Sequence, residues 1–273
     1  MTRVLCMLSE WGYWGEELVG PLYHLDKAGY ETIFCTPSGR RPVPIPVSLD
    51  PSYIDPPLGR PVTTEENARR ARELDQVNRL DNPKNLSTWF PERPYWSAPN
   101  LLRELERYYA MREEAWRSLE EFDALLMVGG SGPIVDMVNN QRVHDVILGF
   151  YRADKPIAAE CYAVTCLVMA RELEDRRSII WGKHVTGHPI EYDYHDGTGF
   201  VGTDFNMGPP PYTLEYMLRD AVGPQGQFIG NVGKRTSAIV DYPFITSRST
   251  ASSYLCGELL VHVLEKGLKR YGW

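Results

Sequence analysis

Short apolar runs alternate with helical patterns along most of this chain, and this alternation constrains the fold more than any other feature. Residues 3–8 form an apolar run, residues 12–15 a glycine-rich turn, residues 16–28 a helical pattern, and residues 31–36 a β-branched run. A strand–helix–strand unit of this kind places its two strands parallel, with the helix packed on the sheet. The sequence therefore predicts an α/β fold with a parallel central sheet.

The same alternation returns in the second half of the chain. We predict strands at residues 124–128 and 156–160, helices at 142–152 and 163–172, a hairpin within 238–246 and a C-terminal helix at 252–271. Leucine and valine recur on one side of that last helix, which is typical of a face packed on a core. The expected architecture is one three-layer sandwich over residues 1–273.

Residues 40–118 interrupt this rhythm. Residues 37–61 are rich in proline, residues 63–80 and 100–119 have charged helical patterns, and residues 89–96 are rich in aromatic side chains. Long structureless loops are uncommon inside compact domains. We therefore interpret residues 40–118 as an ordered, proline- and aromatic-rich cap inserted into the domain.

Composition excludes several classes of function. The net charge of −7 leaves no basic face for nucleic acid, and no run of about 18 uncharged apolar residues could span a membrane. The five cysteines include no CxxC pair and no zinc-ligand spacing with histidine. We expect a reduced, cytoplasmic protein that holds no metal and acts on a small molecule.

Cys161 is the residue best placed for chemistry. It directly follows the strand predicted at 156–160, and small residues open a helix immediately after it. A tight strand-to-helix turn exposes a nucleophile, and a helix N-terminus favours the thiolate. Backbone N–H groups at such a turn can hold an oxyanion. The alternative is a structural cysteine at a strand end, which is the commoner case.

Three further features are expected near Cys161, because parallel strands bring their carboxyl ends to one edge of a sheet. Glu17 follows the first strand-to-helix turn. A Gly-Gly-Ser-Gly turn at residues 129–132 ends the strand predicted at 124–128, which is expected to neighbour the Cys161 strand. His188 follows another strand-like run. The alternatives are a solvated helix acid for Glu17 and a surface or core histidine for His188.

Six motifs together resemble the ThiJ/PfpI superfamily in order and spacing. They are GYWGEELVGP (12–21), VGGSGPIVDM (128–137), AAECYAV (158–164), VTGHPI (185–190), PPYTLEYMLRDAVG (210–223) and ITSRSTASS (245–253). The proline-rich insertion and PYTLEYML resemble its larger branch, the chaperone/glyoxalase III-like proteins. The resemblance implies a flavodoxin-like core related to class I glutamine amidotransferases, and a homodimer. It also implies that Cys161 is the elbow nucleophile, that Glu17 is its protonated acidic neighbour, and that Gly129 and Gly130 turn backbone N–H groups toward the sulfur.

Three positions depart from the family pattern. Tyr162 replaces the histidine that follows the nucleophile in glyoxalase-type members, Ser131 stands where many members have histidine, and Glu160 replaces a usual apolar residue. A phenol, with a pKa of about 10, is a poor proton shuttle near neutral pH. Glyoxalase III or protease chemistry is therefore disfavoured unless His188 reaches Cys161. Glutaminase action is disfavoured because the usual His-x-Glu pair near the C-terminus is missing.

Aromatic side chains are the other unusual feature. Tyr13 and Trp14 lie near Glu17 in sequence, and the insertion adds Trp96 among others. If these fold over the Cys161 edge, they line a pocket larger than methylglyoxal needs. A role in the core or in a subunit interface is the equal alternative.

We therefore predict a cofactor-independent enzyme that uses Cys161 on a small or medium electrophile, either carbonyl-type or an aromatic natural product, in biosynthesis or detoxification. Glu17, His188 and Tyr162 would assist the nucleophile. The predicted substrate-binding residues are Gly129, Gly130, Ser131, Trp14, Tyr13 and Trp96. The alternatives are a non-catalytic binding or holdase protein and a glyoxalase III-like hydratase or lyase.

Overall fold

A computed structural model describes residues 1–55, 58–193, 213–230 and 237–273. The first residues of the PPYTLEYMLRDAVG motif, 210–212, lie outside these ranges. The strands are β1 Arg3–Met7, β2 Glu31–Thr36, β3 Ile54–Asp55, β4 Arg60–Pro61, β5 Lys84–Asn85, β6 Ala124–Met127, β7 Ile157–Glu160, β8 His184–Val185, β9 Gln227–Phe228, β10 Ala238–Asp241, β11 Phe244–Ser247 and β12 Arg270–Tyr271.

The α-helices alternate with these strands. They are α1 Gly15–Lys27, α2 Glu65–Gln76, α3 Leu86–Trp89, α4 Leu101–Ser118, α5 Pro133–Asp136, α6 Gln141–Arg152, α7 Cys166–Met169, α8 Ile190–Asp193, α9 Leu214–Val222 and α10 Ser253–Lys266.

Eight strands form the central sheet in the order β12-β10-β11-β7-β6-β1-β2-β5. The pairings from β11 through β7, β6, β1 and β2 to β5 are all parallel, whereas β10 pairs antiparallel with both β11 and β12. The chain runs to one side of β1 through β2 and β5, and to the other side through β6, β7 and β11. The carboxyl ends of β1 and β6 therefore flank the crevice where α/β sheets bind ligands.

Strand residues alternate between two apolar layers. In β1, Leu5 and Met7 pack on the side of α6, and Val4 and Cys6 pack on the side of α1 and α10. Because helices cover both faces of a mostly parallel sheet, the fold is a three-layer α/β sandwich of the flavodoxin-like type. The predicted fold class is confirmed.

Helix ends differ from the predictions where capping residues override the apolar pattern. The C-terminal helix ends at Lys266, because Gly267 adopts a left-handed conformation with φ +65°, and Arg270–Tyr271 forms an edge strand instead. The helix predicted at 163–172 is only a 3-10 turn, Cys161–Thr165, followed by the four residues of α7.

Within residues 40–118, some elements lie outside the central sheet and others are part of it or pack on its helices. Among the described strands, β3 and β4 pair only with each other, whereas β5 joins the central sheet beside β2. Helix α2 packs on α1, and α4 packs on α6. The interpretation of the segment as an inserted cap stays a prediction.

Among the described residues, no helix is both long enough and apolar enough to cross a membrane.

Helices α1 and α10 pack so closely that glycine is required where they cross. A Cβ added to Gly257 would lie 2.5 Å from Pro21 Cα. We expect Gly257→Ala to lower the free energy of unfolding by about 1–3 kcal/mol, because the helices must separate to admit the methyl group. Urea unfolding checks this. Glu258→Ala, at an exposed position on the same helix, is the control and should change stability by less than about 0.5 kcal/mol. Equal effects of the two substitutions would contradict the prediction.

Candidate active site

Cys161 occupies a backbone conformation that is rare for a residue with a side chain. It follows β7 directly, has φ +52°, and begins the 3-10 helix Cys161–Thr165. A left-handed conformation at a non-glycine residue costs of order 1–3 kcal/mol and is concentrated at functional sites. The sharp turn gives Cys161 the geometry of a nucleophile elbow, as the sequence predicts.

The carboxyl ends of four neighbouring strands meet around this cysteine. Glu17 lies on the helix after β1, Ser131 in the turn after β6, and Thr250 in the turn after β11; together with Cys161 these residues line one cavity. The parallel sheet thus brings together the residues that the sequence places at separate strand ends.

Two glycines let the backbone after β6 pass against the elbow. A Cβ on Gly129 would lie 2.5 Å from the Glu160 carbonyl oxygen and 2.7 Å from Cys161 Cβ. Gly130 has φ +94°, and a Cβ there would lie 2.5 Å from the Trp14 nitrogen. The Trp14 N–H donates to the Gly129 carbonyl at 3.2 Å, which joins the turns after β1 and β6. Neither glycine can be replaced without moving this backbone.

Glu17 is a buried carboxylic acid. Its side chain is 1% exposed and interacts with the Cys161 thiol and the Gly130 N–H. Burial raises the pKa of Glu17 to about 8, against a smaller opposing effect of these hydrogen bonds. The group is therefore mostly protonated at neutral pH and can donate a hydrogen bond toward the sulfur.

The thiol of Cys161 is also held in its neutral form. Burial raises its pKa well above the usual range, and ionised Glu17 would raise it further, whereas the N–H groups of Gly130 and Tyr162 lower it. The sequence predicts a thiolate favoured by a helix dipole, but the helix after the elbow is too short to supply a strong one. A neutral thiol needs a nearby base in order to react.

His188 lies beside the thiol. Its Nδ1 lies 3.3 Å from the Cys161 Sγ. The loop that carries it is held at both ends, because the Thr186 N–H donates to Thr246 Oγ1 at 3.0 Å and the Ile190 N–H donates to Glu215 at 2.9 Å. His188 therefore reaches Cys161, which the sequence left open.

Tyr162 acts on His188 by stacking. The two rings are 4.0 Å apart between centroids and inclined by 22°. Tyr192 meets His188 edge-on from another direction, at 5.7 Å. Aromatic neighbours in these geometries restrict the rotation of the imidazole. The residue directly after Cys161 thus contacts an imidazole that comes from elsewhere in the chain.

The cavity in front of Cys161 has a volume of about 670 Å³, including its opening to solvent. Trp14, Tyr162 and Tyr192 supply aromatic wall, and the β3–β4 hairpin supplies Leu58 and Arg60. The proline-rich segment therefore closes one side of the cavity with an aliphatic chain and a guanidinium. Neither residue is predictable from the sequence, because this stretch has no periodicity that indicates a strand pair.

Three other predicted substrate-binding residues are not among those that line the cavity. Gly129 lies behind it, against Glu160 and Cys161. Tyr13 is fully buried in the core layer of α1 and α10, and Trp96 is 82% exposed. Tyr108 donates to Asp145 at 2.6 Å and Trp89 donates to Ser118 at 2.7 Å. The structure thus brings Gly130, Ser131 and Trp14 to the cavity but not these aromatic side chains.

Two more carboxyl groups lie buried behind the cavity. Glu160 is fully buried, accepts a hydrogen bond from Ser247 at 3.1 Å, and has a pKa raised well above its usual range by burial. Glu16 accepts from Thr250 at 2.9 Å, and burial raises its pKa as well. Glu160 stands out in the sequence as an acidic residue directly before Cys161. Its side chain points inward because side chains alternate between the two faces of a strand.

Within the described ranges, no group of three or more His, Cys, Asp and Glu side chains is arranged to hold a metal ion.

The fold and the elbow define an α/β protein with a buried cysteine at the strand-to-helix turn. Residues 8–187, more than half of the chain, match the family model described as ThiJ/PfpI family-like. The chain belongs to the ThiJ/PfpI family. A search of the curated proteins finds no sequence that matches it.

Solved structures share the fold over almost the whole chain. The Rapid Encystment Protein 24 kDa of Francisella tularensis has 19% sequence identity and a TM-score of 0.69, and the match covers 97% of this chain and 99% of that one. Glyoxalase III of Candida albicans has 16% identity and a TM-score of 0.64, with 95% and 96% covered. Drosophila melanogaster DJ-1beta has 14% identity and a TM-score of 0.52, with 97% and 91% covered.

Because its pKa is raised, Glu17 should make the free energy of unfolding depend on pH. Its pKa is about 8 in the folded protein and about 4.3 in an unfolded chain, so unfolding between these values releases its proton. Glu17 therefore makes the free energy of unfolding fall as pH rises through this window, by at most about 1.4 kcal/mol per pH unit. We expect Glu17→Gln to reduce this slope between pH 5.5 and 7.5, as measured by urea unfolding.

The exposed Glu120 provides the control, because Glu120→Gln should leave the pH slope unchanged. A slope in Glu17→Gln as steep as that of the wild type would contradict a buried, protonated Glu17.

Proposed function

We propose that this protein is a cofactor-independent enzyme in which Cys161 adds to the carbonyl carbon of a small or medium electrophilic substrate. The observation that carries the proposal is the 3.3 Å approach of His188 Nδ1 to the Cys161 sulfur, at a strained elbow that faces a cavity. A thiol next to a base, on a turn with inward N–H groups, is the arrangement of a nucleophilic catalyst.

The addition needs no external oxidant or reductant. His188 accepts the thiol proton while the sulfur forms a bond to the carbonyl carbon, and the carbonyl π electrons move to oxygen. The imidazolium then returns the proton to that oxygen, which gives a neutral thiohemiacetal. The N–H groups of Gly130 and Tyr162 stabilise negative charge on the sulfur before attack, and protonated Glu17 adds a hydrogen-bond donor beside them.

The cavity wall favours a substrate with both an apolar and a polar part. Trp14 and Tyr162 offer flat apolar surface, and Arg60 offers a guanidinium at the side formed by the hairpin. An aromatic carbonyl compound fits this lining, and our preference for a natural product in biosynthesis or detoxification rests on these residues. A homodimeric, cytoplasmic enzyme remains part of the proposal, supported by the family and by the composition.

Glyoxalase III-like action is the second candidate. The Candida albicans neighbour is a glyoxalase III, and His188 supplies an imidazole at the sulfur although Tyr162 does not. In this reaction methylglyoxal and water become lactate, and the aldehyde carbon is oxidised as the ketone carbon is reduced within one molecule. No cofactor is required for that balance.

The nucleophile can be tested without knowing the substrate. We expect iodoacetamide to alkylate Cys161 selectively at pH 7.5, and His188→Gln to slow this alkylation by about 10-fold or more, since the base that accepts the thiol proton is lost. Peptide mass spectrometry measures the rate. Cys166→Ala, which changes a fully buried cysteine that does not line the cavity, should leave the rate unchanged. Equal rates in the wild type and His188→Gln would contradict the proposed base.

Turnover distinguishes the candidate functions. We expect the wild type to convert methylglyoxal to lactate or the aryl α-oxoaldehyde phenylglyoxal to mandelate, each with one water, and Cys161→Ala to lose this activity by at least about 100-fold, because no bond to the substrate can form. Production of lactate from methylglyoxal alone would favour the glyoxalase III-like candidate. Reversible binding of either aldehyde, with equal affinity in Cys161→Ala and no turnover, would contradict the enzyme and favour a binding protein.

A further inference from the structure

A second cavity lies on the helical face, between α4, α6 and the segment after α7. Its volume is about 590 Å³, including its opening to solvent, and among the described residues it shares no lining residue with the Cys161 cavity. Among the described residues, four arginines and one acidic residue, Glu172, line this cavity. Glu172 already pairs with Arg152 at 2.6 Å. In a chain of net charge −7, such a concentration of guanidinium groups makes a local positive potential.

Arg112 is the buried member of this group. It is 4% exposed, and its Nη1 lies 3.5 Å from Asp145 Oδ1. Asp145 also accepts hydrogen bonds from Tyr108 at 2.6 Å and from Gln141 at 3.2 Å, so Arg112 holds only a share of that carboxylate. Among the described residues, Arg112 Nε has no hydrogen-bond partner. A buried guanidinium is costly unless its donors are paired, so an unpaired donor on a residue that lines a cavity indicates a missing acceptor.

Aromatic rings hold the Arg112 guanidinium in place. Its central carbon lies 4.3 Å from the ring centroid of Trp116 and 4.9 Å from that of Tyr109. The planar fork is thereby fixed before any ligand arrives, which reduces the entropy lost on binding. At the rim, Arg171 and Arg176 are exposed, and Arg171 Nη1 donates to the Arg176 carbonyl at 2.8 Å. That contact holds the Arg171 side chain at the mouth.

We propose that this cavity binds a small organic anion through a carboxylate or phosphate group, which pairs with Arg112 at the bottom and with Arg171 and Arg176 at the mouth. Guanidinium groups match the geometry of both anions and bind them with paired, charge-assisted hydrogen bonds. Leu148, Met169 and Leu173 supply the apolar surface for the organic part of the ligand.

The test follows the side-chain N–H resonance of Arg112 by NMR in the full chain. Inorganic phosphate and succinate are the probes, and they distinguish the two anion chemistries. We expect one of them to shift this resonance in a saturable manner. The double variant Arg171→Gln/Arg176→Gln should weaken the binding at least fivefold, while Arg107→Gln, at an exposed position on the same helix, should leave it unchanged.

Arg112→Lys keeps the charge and removes the planar fork, and it should weaken binding at least tenfold; circular dichroism checks that the variant folds. Three results would overturn the proposal. They are no saturation by either probe up to 10 mM, equal affinity in the wild type and the double variant, and a concentration-dependent dimer that the double variant abolishes, which would show that the arginines bind a second chain instead.

Discussion

The backbone of Gly129 passes between the elbow and the Glu17 carboxyl group with no room for a side-chain carbon, and the geometry of the site depends on this contact. It sets the turn after β6 against β7, which directs the Gly130 N–H to the sulfur. It also joins that turn to the one after β1 through the Trp14 N–H. A larger residue at position 129 would push the turn after β6 outward and separate Glu17 from Cys161.

Burial of acidic groups is the second constraint, and it works against the stability of the fold. Glu16, Glu17 and Glu160 all lie in or behind the cavity with raised pKa values. Each keeps its proton in the folded protein over a range where the unfolded chain would lose it, so each favours unfolding as pH rises. The two apolar layers on either side of the sheet offset this cost. Sites that keep unusual protonation states commonly reduce stability in this way.

The positions of Cys161, Glu17 and His188 could be predicted because parallel strands bring their carboxyl ends together, and each of these residues follows a strand-like run. The end of the last helix could not, since the leucine pattern continues to Leu268 while one left-handed glycine ends the helix earlier. Nor could the contribution of Arg60, which lies in a proline-rich stretch without periodicity. Aromatic residues are visible in a sequence, but the side to which each packs depends on tertiary contacts.

The two edges of the central sheet are formed by very short strands. β5 and β12 have two residues each, and each carries a basic side chain, Lys84 in one and Arg270 in the other. Long, flat edges recruit strands from other molecules, whereas short, charged edges discourage that pairing. Association of two copies through a continuous intermolecular sheet is therefore disfavoured. Amyloid-like growth from these edges is disfavoured for the same reason, which leaves the helical faces of the sandwich as the surfaces for association.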